Sequence, residues 1–219
     1  MFAGHVGAAL VIGRAERRVN LGAFVFAALL LDLVLWLLVL VGWESVTIPA
    51  NFASTHQAEF VFPYSHGLLA AVAWSALAGV VTFLWYPQLT AAKSRAAAFV
   101  AVAVFSHWLL DALVHLPELP LVGEGSLKVG LGLWRSMPVA LVAEALIVAV
   151  GLCLFVRAAN LSRSRKLGLT ALSISLLAFT VVGMTVAPPP PSAAAMAASS
   201  MVTIVAVCAL AGWLGKQAT

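Results

Sequence analysis

Apolar residues run along this chain in six long stretches, at residues 19–42, 65–86, 96–116, 138–156, 167–187 and 198–214. A helix needs about 20 apolar residues to cross a bilayer, and each stretch reaches or approaches that length. The pattern predicts six transmembrane helices. Charges or prolines mark the breaks: WESVTIPANF, YPQLTAAKSR, the longer PELPLVGEGSLKVGLGLWRSMP, RAANLSRSRK and the run Pro188–Pro191. None of these can house a soluble domain. The expected fold is therefore all-α: one polytopic membrane domain over residues 1–219, with the polar motifs in 1–120 and three further helices in 138–214.

The opening MFAGHVGAALVIG is apolar but too short to span, and it lacks the basic start and small-residue cleavage site of a signal peptide. Anchored by Arg14, Arg17 and Arg18, it reads as a half-helix or re-entrant segment. Such a piece is tolerated at membrane depth only when buried in protein.

Composition agrees: 63% of residues are hydrophobic and 9% charged, with a mean hydropathy of +1.07, against about 25% charged in soluble domains. The pI near 9.5 reflects an excess of only +4, with basic residues clustered between apolar stretches. That is an orientation signal and not a nucleic-acid surface. Strict alternation of the spans puts ten of the twelve Lys and Arg on one face, leaving Lys128 and Arg135 outside. By the positive-inside rule the basic face is cytoplasmic, in what reads as a bacterial plasma (inner) membrane. Segments 14–18, 88–95 and 157–166 are then cytoplasmic, and 44–62 and 117–137 lie outside. Cys153 and Cys208 sit singly in apolar runs and form no CxxC motif.

Against this background, a few ionisable residues lie within or beside the spans: His5, Asp32, His66, and His107, Asp111 and His115 in FSHWLLDALVHLP. Each such group costs roughly 2.5–3.5 kcal/mol to insert. At 1.5 Å per residue, His5, Asp32 and His107 each lie about 14 Å deep, near the midplane. Asp111 and His115 climb one and two turns outward from His107, His66 opens the second span at its outer end, and Glu144 lies about 9 Å below the outer end of the fourth. Four spans and the N-terminal segment thus aim polar groups into one outward-opening volume. Helical residues four apart share a face, so His107, Asp111 and His115 form one stripe. His115, about 12 Å above His107 along the axis, is too far to share an ion with it.

Imidazole nitrogens with carboxylate oxygens suit a divalent transition metal, zinc most often. His5, Asp32, His66, His107 and Asp111 are the candidate ligands, and Asp111 also a candidate catalytic group. Glu144 is the candidate general base beside a metal-activated water. His115, Lys128 and Arg135 are candidates for contacting substrate, while His56 and Glu59 read as solvated loop residues. The Gly residues of KVGLGLW lack the strand and Walker lysine of a phosphate loop. Buried His and Asp also serve as interhelical hydrogen-bonding glue or as proton and ion relays. A metal hydrolase, a proton or metal-ion transporter and a noncatalytic membrane scaffold are therefore the competing functions. The absence of a visible repeat, and of polar residues beyond the midplane, favours a site over a pathway.

The order GHVGAAL, LLLDLVLW, YSHGLLAA and FSHWLLDALVH resembles the membrane-bound metal-dependent hydrolase family named for the LexA-binding, inner-membrane-associated hydrolase. The resemblance covers roughly residues 1–120, matching His5, Asp32, His66, and His107 with Asp111. Two departures stand out: Asp32 has no second acidic residue or His close by, and Gly67 stands where the family has serine. The family's hydrolase label rests on its motifs, so the resemblance implies a reaction class, with an ester or phosphoester, or a lipid bearing one, as substrate.

Overall fold

The computed structural model describes residues 1–85 and 92–216; the expected cytoplasmic segment 88–95 lies outside the described residues as far as 91, as does the last residue of the span expected over 65–86. The helices are α1 (Phe2–Ala15), α2 (Leu21–Ala28), α3 (Leu30–Leu40), α4 (Phe52–Thr55), α5 (Leu68–Trp85), α6 (Lys93–Val114), α7 (Met137–Ala158), α8 (Arg163–Thr185) and α9 (Ala193–Leu214). Among the described residues, α5 to α9 are each long and apolar enough to cross a membrane. The architecture is that of an all-α integral membrane protein.

The first expected span differs from its prediction. Residues 19–42 do not form one helix; α2 and α3 meet at Leu29 with a bend of 53°. No proline causes it. The bend leaves the Ala28 carbonyl accepting a hydrogen bond from His107 Nδ1 at 2.6 Å and puts Asp32 in the first turn of α3. A carboxylate is favoured there by the helix dipole, so both polar groups gain from interrupting an otherwise uniform apolar run.

The N-terminal segment does form a half-helix. At 14 residues, α1 is about 21 Å long, and it buries Ala3, His5, Val6, Ala9 and Leu10 among α2, α6, α7 and α8. Two glycines permit this. A Cβ on Gly7 would lie 2.8 Å from backbone atoms of Ile147 and Val148, and a Cβ on Gly151 would meet the backbone of Gly7. Without a hydrophobic driving force between helices in lipid, such close backbone packing is a main source of association. Asn20 secures the next junction: its Oδ1 accepts from Gly22 N at 2.8 Å, capping α2, and its Nδ2 donates to Gly212 O of α9 at 3.2 Å.

One end of the bundle gathers the basic residues. Arg17 donates to Ala158 O, Arg95 to Ala15 O and Arg165 to Lys216 O, tying together the ends of α1, α6, α7, α8 and α9. Glu16 lies among them, its oxygens 2.7 Å from Arg18 Nε and Nη2 and 3.2 Å from Arg95 Nε. The Arg18 hydrogen bonds hold its carboxyl below the usual glutamate range. The other end is covered by two antiparallel ribbons that apolar patterning did not predict, β1 (Ser45–Thr47) with β2 (Glu59–Val61) and β3 (Leu119–Pro120) with β4 (Lys128–Val129).

Candidate metal centre

His5 comes from α1, Asp32 from α3, His107 and Asp111 from α6, and His66 from the turn before α5. Their polar atoms meet. His66 Nε2 stands 3.1 Å from His107 Nε2, 3.6 Å from Asp32 Oδ1 and 3.5 Å from Asp111 Oδ2. His107 Nε2 is 3.7 Å from Asp32 Oδ1 and 3.1 Å from Asp111 Oδ2. The other oxygen of Asp111 lies 3.2 Å from His5 Nε2 and 3.4 Å from the Met1 amine. His5 stacks on His107 with ring centroids 3.7 Å apart.

Proton counting shows what this arrangement lacks. The Ala28 carbonyl can only accept, so the hydrogen of a neutral His107 ring sits on Nδ1 and Nε2 presents a lone pair. His66 Nδ1 faces Ser65 Oγ at 2.8 Å, a hydroxyl that can donate or accept. With both rings neutral, at most one N–H serves the five nitrogen and oxygen contacts of 3.1–3.7 Å around their Nε2 atoms. Neither nitrogen of the buried His5 makes a well-aligned hydrogen bond among the described residues: Nδ1 has no partner, and Nε2 faces Asp111 Oδ1 only in poor geometry. The concentration of lone pairs and negative charge calls for an added proton or a cation.

The spacing fits a metal ion. Ligand atoms held tetrahedrally at about 2.0–2.1 Å from zinc lie about 3.3 Å from one another, and the triad His66, His107 and Asp111 has separations of 3.1, 3.1 and 3.5 Å. A second triad, His5, Asp32 and His107, brings its ligand atoms within 4.8 Å. Both draw on His107, and Ala28 occupies its Nδ1. Only Nε2 remains to coordinate, so the residues suit one ion shared among them.

His66 does not lie at the rim of the bundle, where its position at the head of a span had placed it. The turn carrying it dips inward, with Phe62, Ser65 and His66 all buried. Irregular backbone in an apolar interior must have its polar groups satisfied. Glu44 supplies this: its Oε1 accepts from Tyr64 N at 2.7 Å and Ser65 N at 2.8 Å, while Trp108 Nε1 donates to His66 O at 3.0 Å. Burial raises the Glu44 carboxyl above its ordinary range. Glu44 and Ser65 were missed in sequence, although an acid just past the end of an apolar run and a serine beside a candidate ligand were visible signals. Gly67 has no room for serine, because a Cβ there would lie 2.5 Å from Pro63 O. The hydroxyl that meets the His66 ring belongs to Ser65.

His115 caps the stripe. The α6 helix ends at Val114, and His115 is extended, with φ −61° and ψ 148°, close before Pro117, which disfavours helix in the residue ahead of it. Its Nε2 turns back to 3.9 Å from Asp111 Oδ1, and its Nδ1 meets Glu118 Oε1 at 2.6 Å. Glu144 is buried and accepts from Gly4 N at 3.0 Å. Lys128 pairs with Glu124, and Arg135 is exposed. His56, expected in solvent, is half-buried with the αL conformation at φ 53°, while Glu59 is exposed.

A cavity of about 420 Å³ begins at Asp32 and Glu144 and continues between α3, α7, α8 and α9. The side chain of Asp32 is 23% exposed, whereas those of His5, His66, His107 and Asp111 are 3% or less. Asp32 is thus where the buried cluster meets open space. No family model, curated protein or solved structure matches this chain.

Proposed function

We propose that this protein is a metal-dependent hydrolase of the bacterial plasma membrane, acting on an ester or phosphoester, with its site on the extracytoplasmic side. The observation that carries the reading is the convergence of two imidazole Nε2 atoms and two carboxylates from α3, α6 and the turn before α5, with too few protons to pair them and a cavity at one edge. The gathering of Arg17, Arg95 and Arg165 at the opposite end supports the orientation.

His66, His107 and Asp111 would hold the ion, with Asp32 and His5 completing its surroundings; zinc is the commonest metal for such donors. When bound, an ion of this kind polarises a scissile oxygen and brings the pKa of water down toward 7. The protein's own groups supply the rest. Ala28 fixes the His107 tautomer and Ser65 orients His66, the two roles that outer partners of metal-binding histidines generally play. Glu144, on the cavity wall beside Asp32, takes a proton from the attacking water, and Asp111 restrains His5 and His107 in the site. His115 reaches Asp111 from the ribbon side and restrains that carboxylate. Lys128 and Arg135 remain candidates for an anionic substrate group arriving from the loops.

A transporter needs a polar path to the other face. Between His5 and Glu16, α1 buries only Val6, Gly7, Ala9, Leu10 and Gly13, which favours a closed site. Elemental analysis of detergent-purified protein is expected to find about one divalent ion per chain. Chelation should abolish hydrolysis of chromogenic esters or phosphoesters, and zinc or manganese should restore it. A chain that retains no metal after supplementation would sink the proposal.

A further inference from the structure

The cavity beside Asp32 is large for a water channel and small for a protein partner. Its volume of about 420 Å³ falls in the roughly 300–1,000 Å³ range of small-molecule sites. Its two ends differ in chemistry. Asp32 and Glu144 mark one, and the rest of the wall is mainly apolar, with Trp36, Phe60, Phe179, Met184, Met196 and Ile204 interrupted by the hydroxyls of Thr180, Ser199, Ser200 and Thr203 and, at the loops, by His56 and Gln57. Unbranched, polarisable methionines suit an apolar guest without a single rigid shape.

The cavity also opens sideways. Phe179 lines it and is 57% exposed, on a helix apolar enough to cross a membrane. Gln57 Nε2 donates to Trp134 O at 3.3 Å, joining two loops that roof the space at the ribbon end. The lateral opening therefore faces hydrocarbon, while the polar end faces the candidate metal centre. One detail of α8 points to room for an occupant. A Cβ placed on Gly183 would meet no atom within 4 Å, so the glycine borders unfilled space.

We infer that this cavity is a binding site for the hydrocarbon chain of an amphiphilic substrate, admitted from the bilayer between α8 and α9 with its ester or phosphoester group against Asp32 and Glu144. The inference deepens the hydrolase reading and rests on it for the chemistry, but the chain site itself is tested separately. In the reaction, the water oxygen forms a bond to the acyl carbon or phosphorus, the bond to the leaving oxygen breaks, and that oxygen acquires a proton. No oxidant or other co-reactant is required.

The probe is hexadecyl phosphate carrying a diazirine near the end of its chain, added to purified protein in lipid vesicles, photolysed and mapped by mass spectrometry. Adducts are expected on Phe179, Met184 and Met196 at least tenfold above those on the exposed Leu69 and Leu77 of α5, which face away from the cavity. Gly183→Phe projects a ring into that space from a Cβ that meets no atom within 4 Å, and removes a glycine from a helix interior, a change that favours the helix. It should reduce cavity adducts at least tenfold while leaving metal content and α5 adducts unchanged. Even labelling of α5 and the cavity wall in the unaltered protein would overturn the inference, whether or not the variant folds. Cavity adducts without stoichiometric metal would support the chain site and overturn only the hydrolase chemistry. Stoichiometric metal without cavity enrichment would overturn the chain site alone.

Discussion

Two buried clusters of charge lie about 16 Å apart along α1, and they are built to opposite ends. Around Glu16, both carboxylate oxygens meet guanidinium groups of Arg18 and Arg95, whose side chains are 47% and 58% exposed. Each acceptor has a donor, and the arginines keep their solvation. Around His107 the same kinds of atoms converge with donors in short supply: Asp32 and Asp111 face the Nε2 of a ring whose hydrogen is committed through Nδ1 to Ala28, Met1 donates to Asp111 alone, and His5 makes no well-aligned hydrogen bond. The first cluster closes a bundle end. The second has the form of a site awaiting a ligand. Low dielectric makes an unpaired buried group costly, so satisfaction of donors and acceptors, not the number of charges, separates anchor from site.

The largest effect should come from His107. In His107→Ala, metal content is expected to fall to background, with an affinity loss exceeding the 10–100-fold typical of outer-partner changes, while Glu16→Gln keeps its metal. Retention of stoichiometric metal in His107→Ala, measured by elemental analysis, would erase the contrast. Next comes the scaffold that presents both clusters. Gly151→Leu forces a side chain into the backbone of Gly7 and should destabilise the bundle by about 1–3 kcal/mol or more, lowering the melting temperature of detergent-solubilised protein. An unchanged melting temperature would mean that α1 is not held by α7.

A smaller effect is expected from Ser65→Ala, which leaves His66 in place but frees its ring. Metal affinity should weaken about 10–100-fold, read by competition with a chelator of known affinity. Equal affinity would show that the Ser65 hydroxyl does not orient the ligand. The smallest concerns pH at the anchor. Because Arg18 lowers the Glu16 pKa in the folded protein, its contribution is fully present above the ordinary glutamate pKa near 4.3 and is lost as pH falls through the lowered value. The unaltered protein should thus lose slightly more stability than Glu16→Gln on acidification below about pH 4. Exposed arginines keep this difference small. A steeper loss in the variant would reverse the sign and the assignment.

The sequence by itself determined the all-α class, the helices long enough to span and the residues whose polar side chains must be explained. Hydrophobic transfer is local and summed along the chain, so α5 to α9 and the short α1 were legible in hydropathy alone. Position along each helix was partly legible too, because helical rise converts residue count into distance. Azimuth and backbone interruption were not. Nothing in LLLDLVLW announces a 53° bend, since the bend is favoured by a histidine 79 residues away that binds the Ala28 carbonyl. The inward turn at His66 depends on Glu44 satisfying two backbone amides. Tertiary structure alone decided these, because in a dry interior each polar group must find its partner wherever the chain can bring one, however distant in sequence.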